Sequence, residues 1–194
     1  MTRGSVLQKS VLRQVLLWNL ALFAGLGVAG WVADSSALLA NALDNGSDAA
    51  VYLLSYLALD RHPVWKRRAA TASGIMLLIF AGAVLADVVR RWMYGAEPVG
   101  PVMIGLALVA ASINLWCLVL LRRVRSDDVN MKAAETFSVN DFFSNGGVIV
   151  AGVLVIWLGS SWPDLVAGAL IAAVAFKGGI EILQSVREDK RSDG

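Results

Sequence analysis

The chain has 194 residues, of which 57% are hydrophobic and only 16% are charged, and its formal net charge is +2. Ordinary soluble domains contain roughly 45–50% apolar and about 25% charged residues, so this composition argues against a soluble domain and indicates a membrane protein. One cysteine, Cys117, and one histidine, His62, exclude an intrachain disulfide, a cysteine-rich metal cluster and a multi-histidine metal site within one chain.

Six stretches are long and apolar enough to cross a bilayer, whose hydrocarbon core needs roughly 20 residues of helix. They are predicted at about 15–33, 36–59, 69–89, 101–121, 135–158 and 164–184. The strands of a membrane barrel would instead alternate in segments of about ten residues, and no such pattern occurs. We therefore predict an all-α, polytopic membrane protein in which residues 1–194 form a single transmembrane domain, without a soluble C-terminal domain.

The basic residues predict the orientation, because cytoplasmic loops carry an excess of Lys and Arg. With the N-terminus in the cytoplasm, all 17 Lys and Arg residues except Arg90 and Arg91 lie on the cytoplasmic side. Both termini are therefore predicted to be cytoplasmic. The expected location is the cell membrane, which the chain crosses several times.

The second predicted span contains the run N-A-L-D-N-G-S-D, with two aspartates in an otherwise apolar stretch. Asp44 lies about nine residues from the outer end of the span, roughly 14 Å at 1.5 Å per residue, which is close to the bilayer midplane. Asp44 and Asp48 are spaced i, i+4, so they share one helix face, where like charges repel. An aspartate at this depth costs about 2.5–3.5 kcal/mol on insertion scales, so a functional role is the default hypothesis.

The fifth predicted span contains a second polar patch, F-S-V-N-D-F-F-S-N-G-G. Asp141 and Asn145 again share one helix face at i, i+4, and Asn140 precedes the aspartate. The two spans run in opposite directions, and both patches lie near mid-depth. We expect them to combine into an oxygen-lined site made of Asp44, Asp48 and Asp141, with Asn145 or Asn140 nearby.

Three carboxylates far from water cannot all stay charged without a partner, so they must hold protons or a cation. Carboxylate and amide oxygens are suitable ligands for divalent cations. Metal binding requires deprotonated ligands and therefore expels protons, which is the physical basis of a metal–proton antiporter. The structural alternatives are an aspartate paired with a basic residue, for which no span offers a partner near mid-depth, and asparagines that form hydrogen bonds between helices.

These two stretches resemble the motifs of the second and fifth helices of the cation diffusion facilitator family. The resemblance implies six membrane helices with both termini in the cytoplasm and metal ligands at Asp44, Asp48 and Asp141. It also implies efflux of a divalent metal (Zn, Co, Cd, Mn or Fe) in exchange for protons, with no prosthetic group. A ligand set made of oxygen alone favours the harder Mn²⁺ or Fe²⁺.

The sequence departs from the family pattern in three places. Phe137 stands where the family has its fourth ligand, so Asn140, Asn145, a water or a ligand from elsewhere must complete the shell. A second metal site at Asp60 and His62 is an alternative to an ordinary exposed loop. The cytoplasmic domain of most family members is missing, so the chain resembles a short, membrane-only branch, and we expect a homodimer held together by membrane helices.

Other polar residues of the spans have structural interpretations. Asn19 and Asn114, in the first and fourth spans, could contact the site or form hydrogen bonds between helices, and the second interpretation is favoured. Asp87 is expected to form local ion pairs with Arg90 and Arg91, at i+3 and i+4. Cys117 is expected to be an inert packing residue.

Rival functions make different demands on the sequence. Membrane phosphatidyltransferases have an aspartate array that resembles D-x-x-D-G-x-x-A-R with a second acidic pair, whereas this chain has D-x-x-x-D alone. We therefore predict a secondary active transporter and not an enzyme. A passive cation channel and a non-transporting membrane partner protein remain alternatives. The expected partners are metal ions, protons and the lipid bilayer, and no nucleic acid.

Overall fold

A computed structural model describes residues 3–58, 63–123 and 129–192, and these residues form six α-helices. No strand occurs in the described ranges, so the predicted all-α class is confirmed for them. Each predicted span lies within one helix to within one residue. The helices are α1 (Arg3–Val32), α2 (Ser36–Ala58), α3 (Pro63–Tyr94), α4 (Gly100–Arg123), α5 (Val129–Leu158) and α6 (Trp162–Ser192).

Five of the six helices contain a segment that is long and apolar enough to cross a membrane: Lys9–Val32, Ala70–Tyr94, Gly100–Arg123, Asp141–Leu158 and Trp162–Glu188. The helix without such a segment is α2, because its aspartates and asparagines lower its mean hydropathy. However, no residue of α2 from Ser36 to Tyr52 is exposed. This part of α2 packs against other helices, so its polar residues need not face lipid.

The helices pack around α2. Helices α1, α2, α4 and α5 form a ring in which each contacts two neighbours, while α3 and α6 pack against each other and against α2. Small residues allow close crossings. A Cβ atom on Gly152 of α5 would lie 3.1 Å from the carbonyl oxygen of Gly100 on α4, and one on Gly179 of α6 would lie 3.2 Å from that of Gly74 on α3.

Three short connections, at residues 33–35, 95–99 and 159–161, lie at one end of the bundle, which we call the short-loop end. Gly95 and Gly159 directly follow helices α3 and α5 there and have positive φ angles of 88° and 57°. Glycine adopts such angles without strain and commonly terminates helices. Exposed tryptophans surround this end, as is typical of a membrane–water interface: Trp31, Trp92, Trp157 and Trp162.

Two apolar clusters fill the ring of α1, α2, α4 and α5. The first apolar cluster lies toward the short-loop end, and its buried members are Leu22, Leu26, Ala33, Ala37, Leu38, Ala42, Met103, Ala107, Ala110, Val148, Ala151 and Val155. The second apolar cluster lies toward the termini, and its buried members are Val11, Leu12, Val15, Leu16, Ala49, Tyr52, Cys117, Leu120 and Leu121. Cys117 is fully buried in the second cluster, which confirms its predicted packing role.

Candidate metal site

The gap between the two apolar clusters is polar. Seven residues of the ring, which we call the polar layer, lie in this gap or directly beside it: Asn19 on α1, Asp44, Asn45 and Asp48 on α2, Asn114 on α4, and Asp141 and Asn145 on α5. Six of the seven are at most 3% exposed, and Asp44 is half-buried. Each helix of the ring therefore contributes at least one Asn or Asp to a single level of the bundle.

The carboxyl groups of Asp48 and Asp141 form the contact at the middle of this layer. The two carboxyl groups lie close enough to interact with each other, which brings α2 and α5 together. A hydrogen bond between two carboxyl groups requires a proton on one of them, because an ionised carboxylate is only an acceptor. The hydroxyl of Tyr52 donates a further bond of 3.4 Å to Asp48 Oδ2. The pair can therefore hold one shared proton, and a cation could take the place of that proton.

Asp44 lies one turn from this pair, on the same face of α2. Its carboxyl group lies within interaction distance of the Ser144 hydroxyl of α5. Its Oδ2 atom is buried and has no hydrogen-bond partner among the described residues. An unpaired carboxylate oxygen away from water is costly, so this atom is available for a bound ion or water.

Asn145 joins the two helices beside the aspartates. Its Oδ1 accepts a hydrogen bond of 2.8 Å from Asn41 Nδ2, and its Nδ2 donates one of 2.7 Å to the Asp141 carbonyl. The interhelical hydrogen bond considered from the sequence is therefore present. To bind a metal, Asn145 would use the second lone pair of its Oδ1 atom or break its hydrogen bond with Asn41.

Asn45 is a buried residue of the layer that the sequence analysis did not single out. Its Nδ2 donates to the Asn41 carbonyl at 2.9 Å, while its Oδ1 is buried without a partner in the described chain. Its position next to Asp44 and one turn from Asn41 was the available signal. Asparagine spacing alone could not show which side of α2 it occupies.

The three aspartates are arranged as a contacting pair, Asp48 and Asp141, with Asp44 beside them. In the described ranges, no three His, Cys, Asp or Glu side chains are grouped closely enough to hold a metal ion. The predicted ligation by all three carboxylates therefore requires side-chain movement on binding. The side chains of Asn140 and Phe137, and the predicted second site at Asp60 and His62, lie outside the residues whose side chains the structure describes.

The short-loop end has its own charged network. Arg90 Nη2 pairs with Asp87 Oδ1 at 2.8 Å, and Arg91 pairs with both Asp87 and Asp34, so the predicted local ion pairs are confirmed. Arg91 is 2% exposed. This network ties α3 to the connection between α1 and α2, away from the polar layer.

Asp164 of α6 connects this helix to the start of α2 at the same end. Its carboxylate accepts bonds from the Ser35 hydroxyl at 2.5 Å, the Ser36 amide at 2.7 Å and the Ala37 amide at 3.1 Å. The first amides of a helix have no partner within the helix, so Asp164 caps α2 from a different helix.

Comparison with known proteins places this architecture in a family. The cation efflux transmembrane domain matches residues 12–189, which is most of the chain. The zinc transporter ZitB of Escherichia coli is 25% identical over 175 residues, covering 83% of this chain and 56% of the relative. A cadmium, cobalt and zinc/H(+)-K(+) antiporter of Bacillus velezensis is 21% identical over 189 residues, covering 88% of this chain and 60% of the relative.

A third relative, ZitB of Yersinia pestis, is 21% identical over 170 residues, covering 81% of this chain and 54% of the relative. The chain thus spans between 54% and 60% of the length of these relatives. The match over residues 12–189 contains every member of the polar layer. The chain therefore belongs to the cation diffusion facilitator family of cation efflux proteins.

Proposed function

We propose that the chain exports divalent metal cations across the cell membrane in exchange for protons. Asp44, Asp48 and Asp141 bind the ion, and the same carboxyl groups carry the protons that return. All six helices cross the membrane, with both termini in the cytoplasm, and two chains form a homodimer through membrane helices. The protein is a secondary active transporter and catalyses no covalent reaction.

The contact between the carboxyl groups of Asp48 and Asp141 carries this proposal. Two acidic groups from different helices meet at a level where apolar clusters lie on both sides, and such an arrangement serves no packing purpose. Asp44 Oδ2 adds an unpartnered oxygen beside them. A divalent cation would neutralise two carboxylates and satisfy that oxygen.

Exchange follows from the competition between protons and metal for these oxygens. A proton bridges Asp48 and Asp141 when the metal is absent, and the metal can bind only when that proton leaves. Ser144 holds the Asp44 carboxyl group toward α5, where it can rotate toward the ion. Rocking of helices around a central site would then expose the ion to either side in turn.

A passive cation channel is the second candidate, since a pore could use the same polar layer. The two apolar clusters favour exchange over this alternative. Their described members place buried apolar side chains on both sides of the polar layer, toward the short-loop end and toward the termini. A transporter that opens to one side at a time fits this arrangement better than an open pore.

The printed names of the relatives guide the choice of metals for testing. They name zinc, and in two Bacillus relatives also cadmium and cobalt. We propose that Zn²⁺, Cd²⁺, Co²⁺, Mn²⁺ and Fe²⁺ form the class of substrates.

Reconstituted vesicles with a pH-sensitive dye inside test the proposal. We expect an imposed metal gradient to move protons in the opposite direction with a fixed ratio, and Asp48→Ala to abolish this coupling. Glu181→Gln, an exposed position on α6, provides the matched control. Metal flux that is indifferent to pH would support the channel instead, and unchanged coupling in Asp48→Ala would overturn the site assignment.

A further inference from the structure

Asn114 of α4 is buried and unsatisfied. It is 1% exposed, and neither its Oδ1 nor its Nδ2 has a hydrogen-bond partner among the described residues. A buried polar group without a hydrogen-bond partner destabilises the fold, and bulk water cannot relieve that cost inside a membrane. Packing alone therefore does not account for an amide at this position.

Asn114 lies at the depth of the carboxyl pair. Helices α4 and α5 are antiparallel, and a Cβ on Gly152 would lie 3.2 Å from the Cβ of Met103. Asn114 lies eleven residues after Met103 on α4, and Asp141 lies eleven residues before Gly152 on α5. The two residues are therefore at similar heights, because both helices rise about 1.5 Å per residue. Cys117, three residues after Asn114 on the same face of α4, is also fully buried.

Asn19 of α1 reaches the same level from another side. Its Nδ2 donates to the Val15 carbonyl of its own helix at 3.0 Å, and its Oδ1 is buried without a partner in the described chain. The hydrogen bond between helices that the sequence favoured for Asn19 and Asn114 is not formed by either residue within the described ranges. Asn45 Oδ1 of α2 is a third buried amide oxygen without a partner there.

We propose that Asn19, Asn45 and Asn114 form an amide wall that binds the water molecules retained by the transported cation. The inference rests on the proposed function and deepens it, because it assigns the shape of the ion's shell. The carboxylates bind the metal directly from α2 and α5, while the amide oxygens of α1, α2 and α4 accept hydrogen bonds from its remaining waters. Asn114 can also donate a hydrogen bond, to a water or to an ionised carboxylate.

This arrangement selects a class of ion. Mn²⁺ favours octahedral oxygen coordination, which the carboxylates cannot complete alone and which bound waters would fill. Zn²⁺ is satisfied by four ligands and needs fewer waters. The amide wall therefore stabilises bound Mn²⁺ more than bound Zn²⁺.

The test compares Asn114→Leu and Asn19→Leu with the wild-type chain, purified in detergent, and measures the Kd for Mn²⁺ and for Zn²⁺ by calorimetry. We expect each substitution to weaken Mn²⁺ binding about tenfold, as loss of a residue that supports metal ligands typically does. The factor by which each substitution raises the Kd for Zn²⁺ should be at least about threefold smaller than the factor for Mn²⁺. Ser112→Ala, on the exposed face of α4, is the matched control, since its hydroxyl bonds only the Leu108 carbonyl of its own helix.

The unfolding temperature without metal separates binding from structure. Replacing an unsatisfied amide with an apolar side chain of similar size is expected to leave this temperature unchanged or raise it. A lowered unfolding temperature with unchanged Kd values would show that the asparagines are structural or hold water alone, and would overturn the inference. Equal losses for Mn²⁺ and Zn²⁺ would also overturn it.

A further variant distinguishes this failure from failure of the proposed function. If the wild type binds metal and Asp48→Asn does not, the carboxylate site stands. Unchanged Mn²⁺ binding in Asn114→Leu would then overturn the inference about the amide wall but not the proposed function. If the wild type binds neither metal, the proposed function itself is wrong, and the amide wall fails with it.

Discussion

The short-loop end and the polar layer both bury polar side chains, but they differ in how many of these side chains have hydrogen-bond or ion-pair partners. At the short-loop end, Arg91 pairs with two aspartates and the Asp164 carboxylate accepts three hydrogen bonds. In the polar layer, Asn19, Asp44, Asn45 and Asn114 each keep at least one buried atom without a partner among the described residues. Among the described residues, the short-loop end leaves one buried side-chain atom without a partner, Ser36 Oγ, whereas the polar layer leaves five.

This difference separates a structural role from a binding role. Polar groups that satisfy one another fix the positions of the elements that carry them, as Asp164 fixes the start of α2. Groups left unsatisfied reduce stability, and a chain has no reason to retain several of them at one level unless a ligand completes them. Substitutions at the short-loop end should therefore change stability, and those in the polar layer should change metal binding.

Asp48→Asn should have the largest effect. The amide keeps the size of the side chain but cannot supply the negative charge that the cation needs. We expect metal affinity to fall by more than about a thousandfold, or about 4 kcal/mol, while the unfolding temperature without metal does not fall. Calorimetric titration and thermal unfolding of the same preparation measure both quantities. A variant that unfolds earlier yet binds metal normally would place Asp48 with the structural residues.

Arg91→Met should show the opposite behaviour. Its loss leaves the carboxylates of Asp87 and Asp34 without their buried partner, although Asp34 is 42% exposed and partly solvated. We expect a loss of about 2–3 kcal/mol in the free energy of unfolding, with metal affinity of the folded protein unchanged within about threefold. Arg90→Gln is the matched control: its side chain is 55% exposed, so removing this surface pair should destabilise the protein much less than Arg91→Met. Equal destabilisation by both substitutions would contradict the account of the network.

Asp164→Ala should have a smaller effect at the same end. The substitution removes the acceptor for the amides of Ser36 and Ala37, and loss of a helix cap costs about 0.5–2 kcal/mol. Hydrogen exchange of these two amides should increase more than exchange in the middle of α2, as measured by mass spectrometry. Unchanged exchange would mean that Asp164 does not cap α2 in solution.

Ser144→Ala should have the smallest effect and should appear in metal binding. The hydroxyl lies beside the Asp44 carboxyl group, and a hydrogen bond between them would contribute about 0.5–1.5 kcal/mol. We expect the Kd for metal to rise about two- to tenfold with no loss of stability. A drop in stability at constant Kd would show that Asp44 does not take part in metal binding.

The sequence predicted the elements well because their signals are local. Apolar length defines each helix, and the i, i+4 spacing puts Asp44 with Asp48 on one face. The ion pairs of Asp87 with Arg90 and Arg91 followed from the same spacing. The helices extend beyond most predicted spans, since α1 begins at Arg3 and α6 continues to Ser192, because polar residues propagate a helix past the apolar limit that defined the spans.

Contacts between distant helices were harder to predict. The bond from Asn41 to Asn145 and the capping of α2 by Asp164 depend on how helices rotate about their axes and slide past one another. Neither quantity is encoded in spacing along one helix. For the same reason the sequence could not show that Asn114 and Asn19 lack partners within the described chain.

Metal titration of the double variant Asp44→Asn/Asp141→Asn tests the central claim most directly. The measurement is calorimetry of the purified proteins in two buffers of different ionisation enthalpy, which counts the protons released per metal bound. We predict that the wild type binds the ion and releases protons, and that the double variant does neither. Binding of equal affinity and equal proton release in the double variant would contradict the assignment of the site to the polar layer.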